Sequence, residues 1–314
     1  DLTKSEDASS SEKKGQLKIY TTVYPLQYFT KQIAGDSADV SSILPPGSDP
    51  HTYEPTTKEM VKMAEADAFI YSSAGLEGYA ETISDAIKPE GVTILEASEG
   101  IQLEKHVHNH DGGNSEEDEH AHEEEQSKNE EAGHEGHNHG DQDPHVWLDP
   151  IRSVQLAENI KETLVEIKPE QKDKFNENFK QLKKELQDLD QEFHNQLESK
   201  PKNKIIVSHA AYGYWEQAYG IHQVAVSGLS PTSEPSQKEL EKIIEKAKEN
   251  DINFVLFEQN VTPKVSEVVQ KEIGAEALRV NNLSVLTEEN VNNKDNYFTL
   301  MRENLDVLSE ALSK

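Results

Sequence analysis

The sequence predicts an α/β protein of two lobes, each a mainly parallel sheet flanked by helices, with one long rigid helix joining them and a cleft between. Three observations predict the scaffold. At 314 residues the chain exceeds one average domain. Short apolar runs alternate with segments of helical spacing in both halves, the signature of parallel strands connected through helices. Between the halves, residues 169–199 keep an unbroken helical repeat.

Residues 1–16, DLTKSEDASSSEKKGQ, mix Ser, Glu and Lys with Leu2 as the only large apolar side chain, and are expected to be a disordered tether. The first lobe is expected over 17–168. In it LKIYTTV (17–23) precedes a helix at 26–33, VSSIL (40–44) precedes 56–66, AFIYS (68–72) precedes 76–87, and VTIL (92–95) leads into a His-rich and acidic insert at about 104–142. Apolar positions return at helical spacing from 151 to 167. The long helix follows, with Phe175, Phe179, Leu182, Leu186, Leu189, Phe193 and Leu197 at steps of three and four. Pro169 suits its first turn and Pro201 lies past its end. At 1.5 Å per residue such a rod is roughly 45 Å long, more than one small sheet needs. The second lobe is expected over 200–314: KIIVS (204–208), a helix from about Tyr212, HQVAV (222–226), a helix at 236–248, NFVLF (253–257), a helix at 263–273, ALRV (277–280) and a final helix at 294–312. The two layouts are alike, without a convincing sequence repeat.

Sixty acidic against thirty-one basic residues give a net charge of −29, which argues against nucleic acid and fits a cationic ligand. Most of these charges read simply as solvated surface. With no cysteine there is neither a disulfide framework nor a thiolate metal site, so a metal must bind through nitrogen and oxygen. No apolar run approaches the roughly 20 residues that span a bilayer, and no signal-peptide core is visible, so the chain as given is expected to be soluble.

Eight of the thirteen histidines fall in 106–139, HVHNHDGGNSEEDEHAHEEEQSKNEEAGHEGHNH. That stretch has no periodic apolar face to bury, so it is expected to be disordered and to hold several weak sites, or to serve only as a solubilising insert. Of the other five, His51 lies in LPPGSDPHTYEPT after a strand, His145 in DQDPHVWLDP before a helix, and His209 in KIIVSHAAYGYW at the carboxyl end of a strand. Ligands gather at the carboxyl ends of strands in α/β layers, and three imidazoles with one open or carboxylate position suit zinc. Each of them taken alone reads more readily as a turn residue or helix cap than as a ligand. His194 and His222 are assigned structural roles.

The segments GSDPHTYEPT, DPHVWLDP and VSHAAYGYW, with an acidic His-rich insert before the second, resemble the zinc-binding lipoproteins that feed ABC-type importers, the ZnuA/AdcA type of metal-specific solute-binding protein. The resemblance covers the chain after the tether. It implies two lobes, a rigid linking helix and one cleft site with His51, His145 and His209 as metal ligands. It also implies a monomer that binds Zn2+ as cargo and works outside the cytoplasm with a membrane permease and its ATPase. A lipid anchor to the outer face of the membrane is implied too, although the lipid-carrying cysteine is absent from this chain. Relatives often place a carboxylate on the metal from a segment reading here VNNLSVLTEEN, where Ser284 stands. The fourth position is therefore open to water or to Glu258 of LFEQN. The alternatives are a manganese or broad divalent-metal binder or adhesin, and a zinc hydrolase. Neither HExxH nor a serine nucleophile elbow is present for the last.

Overall fold

The computed structural model describes residues 15–73, 75–105, 142–259 and 261–314. The expected tether, apart from Gly15 and Gln16, and the insert between 106 and 141 lie outside the described residues. Strand and helix alternate from the start: β1 (Leu17–Thr21), α1 (Tyr24–Ala34), β2 (Ala38–Ser42), α2 (Thr57–Ala64), β3 (Ala68–Tyr71), α3 (Ala80–Ile87) and β4 (Thr93–Glu96). A 3-10 turn at Val146–Leu148 leads into α4 (Pro150–Ile167), and α5 (Lys172–Leu197) is the long helix. The second series is β5 (Lys204–His209), α6 (Gly213–Tyr219), β6 (His222–Ser227), α7 (Gln237–Glu249), β7 (Phe254–Glu258), α8 (Lys264–Glu272), β8 (Glu276–Val280), α9 (Glu288–Asn292) and α10 (Tyr297–Ala311).

Two parallel four-stranded sheets result, ordered β2-β1-β3-β4 and β6-β5-β7-β8. The order is the same, so the two halves share a topology that their sequences do not display. In each sheet the chain moves outward in opposite directions from the central pair, β1 with β3 and β5 with β7. Such a switch point opens a crevice at the carboxyl ends of the strands.

The long helix differs in detail from the sequence expectation. Pro169–Gln171 form a 3-10 turn, and the α-helix runs 26 residues from Lys172 to Leu197. Its apolar stripe of Phe175, Leu182, Leu186, Leu189, Phe193 and Leu197 is buried. Each such side chain contributes roughly 1.5–3 kcal/mol relative to exposure. The stripe packs on α1 and α4 of the first half and on α6 and α10 of the second. In consequence one apolar core runs through both halves, joining Ile19 and Phe69 to Ile205 and Leu256. A smaller core, with Ile206, Val255 and Phe257, lies under α7 and α8.

The final helix also starts later than its sequence pattern, because Asn296 caps it by accepting the Phe298 and Thr299 N–H groups, while 288–292 forms the separate α9. Backbone bonds staple the loops around the crevices: Tyr24 N–H donates to the Ser284 carbonyl at 3.0 Å, and Gly47 N–H to the Leu286 carbonyl at 3.2 Å.

Candidate metal centre

Two of the three histidines are presented by the same local device. In Asp49-Pro50-His51 and in Asp143-Pro144-His145 the Asp carboxylate accepts the N–H of the His two residues on, at 2.9 and 3.0 Å. This turn bends the chain without regular structure just ahead of the helical segment that follows. The third, His209, is the last residue of β5, beside the switch point.

The fold brings the three rings together. Their centroids lie 5.4 Å apart for His51 and His145, 5.7 Å for His51 and His209, and 5.0 Å for His145 and His209. One nitrogen from each lies within 4.8 Å of the others, and among the described residues this is the only such group of potential metal donors. Zinc–nitrogen bonds of about 2.0–2.1 Å in a tetrahedron place donor nitrogens roughly 3.3 Å apart, so a modest contraction closes the set on an ion. His145 and His209 are buried and His51 is half-buried.

The rings are held by carboxylates. Asp143 Oδ1 lies 2.8 Å from His145 Nδ1, which keeps the proton on that nitrogen and the lone pair on Nε2. Nε2 is buried with no hydrogen-bond partner. A polar atom stranded in this way needs a ligand or a water. Glu258 Oε1 lies 2.9 Å from His209 Nδ1, and His209 Nε2 lies 2.5 Å from the Leu229 carbonyl. An oxygen acceptor on each nitrogen favours the protonated form of His209. Burial works against that charge, but the charge and hydrogen bond of Glu258 outweigh it and push the pKa up. His51 moves the other way, down to about 3, through burial and the neighbouring His145 and His209.

Glu258, raised at sequence level as a possible fourth ligand, is fully engaged elsewhere. Its second oxygen accepts from Tyr212 Oη at 2.9 Å and from Asn282 Nδ2 at 2.5 Å. Ser284 is buried, and its N–H and O–H both donate to Asn282 Oδ1, at 3.0 and 2.7 Å. Where the resemblance expects a carboxylate there is thus a relay from Ser284 through Asn282 and Glu258 to His209. The roles of Asp143 and Glu258 were missed from the sequence. For Asp143 the repeated Asp-Pro-His was the available signal; for Glu258 its place at a strand end was all there was.

His194 and His222 stand outside this cluster. His194 bonds Glu198 at 3.1 Å along α5 and packs edge-on to Tyr219, and His222 is exposed at the start of β6.

Fold and centre together define a two-lobed α/β protein that brings three imidazoles together, two of them buried. The chain belongs to the family described as zinc-uptake complex component A, periplasmic, whose model matches residues 19–311. It is 35% identical over 306 residues to the zinc-binding lipoprotein AdcA of Streptococcus pneumoniae, covering 97% of this chain and 58% of that protein. The chain thus spans little more than half the length of that relative. The high-affinity zinc uptake system protein ZnuA of Bacillus subtilis is 35% identical over 308 residues, covering 98% of this chain and 91% of its own. The crystal structure of the Zn(II)-bound ZnuA-like domain of S. pneumoniae AdcA superposes with a TM-score of 0.75 at 32% identity, over 96% of this chain and all of that domain.

Proposed function

We propose that this chain captures Zn2+ outside the cytoplasm and delivers it to an ABC-type importer, with His51, His145 and His209 as the metal ligands and water in the fourth position. The observation that carries the reading is the meeting of three imidazole nitrogens, one of them the stranded His145 Nε2, from three separate segments of the chain. Neutral nitrogen donors with a single remaining position suit zinc. Manganese prefers more oxygen ligands, and the two carboxylates that touch the cluster are occupied in orienting rings. That same occupation leaves neither Asp143 nor Glu258 free as the general base a zinc hydrolase needs.

Membership of a zinc-uptake family and likeness to a zinc-bound domain support the cargo and the importer. The word lipoprotein in the AdcA name supports attachment through a lipid to the outer face of the membrane, and the uptake system named for the B. subtilis relative supports a permease and its ATPase as partners of this chain, which we take to act as a monomer. No described helix is long and apolar enough to cross a membrane. A crystal soaked in zinc tests the ligand set: a single strong anomalous peak at the zinc edge, bonded to the three imidazoles, is expected. A peak at other side chains, with these three rings empty, would overturn it.

A further inference from the structure

The support of His145 extends past Asp143 into the second half of the chain. Asp143 is only 2% exposed, and while its Oδ1 holds His145, its Oδ2 presses against the start of α6. A Cβ added to Gly213 would lie 2.7 Å from that oxygen, closer than real contacts allow, and Gly213 has an ordinary φ, so the close approach alone requires glycine there. The next residue, Tyr214, donates its hydroxyl to the Asp143 carbonyl at 2.6 Å and accepts the Glu104 N–H at 3.1 Å. Arg152 lies over the Tyr214 ring, 4.9 Å from its centroid, and donates to Glu104, Asp149 and Gln217 at 2.6, 2.7 and 2.6 Å. Among the described residues neither Arg152 nor Tyr214 is bonded to an imidazole. Tyr214 holds the backbone carbonyl of the Asp beside one, and Arg152 holds Tyr214.

We infer that Gly213, Tyr214 and Arg152 are positioning residues for the metal: they seat Asp143 against α6 and so aim His145 Nε2 at the point where His51 and His209 converge. This rests on the proposed ligand set and adds the part of the second lobe that sets the angle of a ligand carried by the first. The physical need is plain. A donor nitrogen must be held to within about half an ångström of its productive position, and a carboxylate on an irregular loop is held to that tolerance only if its own surroundings are fixed.

The test compares Gly213→Ala and Tyr214→Phe with the unaltered full chain, each also in a His145→Ala background. Zinc affinity is read by chelator competition, and ligand geometry by the visible absorption of the cobalt(II)-loaded protein. The added Cβ of Gly213→Ala must displace the buried Asp143 carboxylate, so metal-free melting is measured beside affinity to separate a loss of aim from a loss of fold. Tyr214→Phe keeps the ring under Arg152 and removes only the hydroxyl, which leaves the inference testable should the alanine variant fold poorly. Each variant is expected to weaken zinc binding about ten-fold, the low end of the range for outer partners of metal ligands, with altered cobalt bands. In the His145→Ala background neither change should have a further effect. Unaltered affinity and cobalt bands in both variants would overturn the inference, as would a loss of the same size whether or not His145 is present. If His145→Ala itself left zinc affinity unaltered, the three-imidazole reading would fall and the inference with it.

Discussion

Replacing Glu258 by Gln removes one charge from the centre while leaving a side chain of nearly the same shape. Burial raises the Glu258 pKa, yet the charge of His209 and the hydrogen bonds from His209, Asn282 and Tyr212 hold it at about 2 against an ordinary 4.5. That difference corresponds to about 3 kcal/mol. The same contact favours a proton on His209, whose pKa is pushed up against burial. Zinc needs neutral imidazole, so under the proposed ligand set any proton that His209 carries must leave on binding, whereas His51, held at about 3, has none to lose near neutrality. In Glu258→Gln the largest opposition to burial is removed, leaving only the Leu229 carbonyl and the Asp143 charge to favour the protonated ring, so the His209 pKa falls. Calorimetry near pH 7, in two buffers of different ionisation enthalpy, should show fewer protons released per zinc by the variant. Where the wild-type His209 has already deprotonated, the variant should bind about 10- to 100-fold more weakly, and the gap should narrow as pH falls because the wild-type ring, with the higher pKa, protonates first. The pair also shapes metal-free stability. The Glu258 contribution is present above pH 4.5 and lost as pH falls through about 2. The His209 contribution is complete below the ordinary 6.5 and lost as pH rises through its raised value. Equal proton release in the two proteins, or a gap that widens in acid, would refute this reasoning.

Asp143→Ala should free the His145 ring and weaken zinc by about 10- to 100-fold in the same competition assay; an unchanged constant would mean that the 2.8 Å contact does not orient the ligand. Glu77 is fully buried and accepts the Ser72 N–H at 2.8 Å, and burial drives its pKa well above 4.5. Stability from such a group is complete below pH 4.5 and lost as pH rises, so Glu77→Gln should melt with the wild type near pH 4 and above it at pH 7.5; a lower melting point at pH 7.5 would contradict the burial argument. Because the 26-residue α5 is an unbroken rod of roughly 39 Å packed on both halves, small-angle scattering of metal-free and zinc-loaded protein should nearly coincide, and a large compaction would show that the rod bends.

The periodicity of Phe175 to Leu197 made the long helix legible, because a stripe at steps of three and four has one structural solution. What it packs against was not legible: an amphipathic face states that it is covered, not by what, and the single core through both halves emerged only in three dimensions. The shared strand order was hidden for a related reason, since topology depends on connection geometry rather than on residue identity. At the centre, His51, His145 and His209 were readable from turn residues and strand ends beside a resemblance to known motifs. Their partners divide by distance in sequence. Asp143 stands two residues from its His, within reach of local reasoning. Glu258 is 49 residues from His209, and Tyr214 71 from Asp143, so only the fold could pair them. Ser284 was legible as a missing carboxylate, but its use as the start of a relay to Glu258 was not.

The central claim is that the tight site is the imidazole cluster and not the His-rich stretch, and removal of 106–139 tests it most directly. Lys105 and Gln142 form an antiparallel bridge, so the deletion leaves Gly140-Asp141 as a two-residue hairpin loop with glycine at its first position, a connection that such a pair accepts. Chelator competition should find one tight zinc per chain in the deletion variant, with only weaker equivalents lost, because sites on a folded scaffold are organised before the metal arrives. In the full-length chain His209→Ala should lower the affinity of that tight site by about 2 kcal/mol or more. A deletion variant without its tight site, beside a His209→Ala variant that keeps it, would contradict the account.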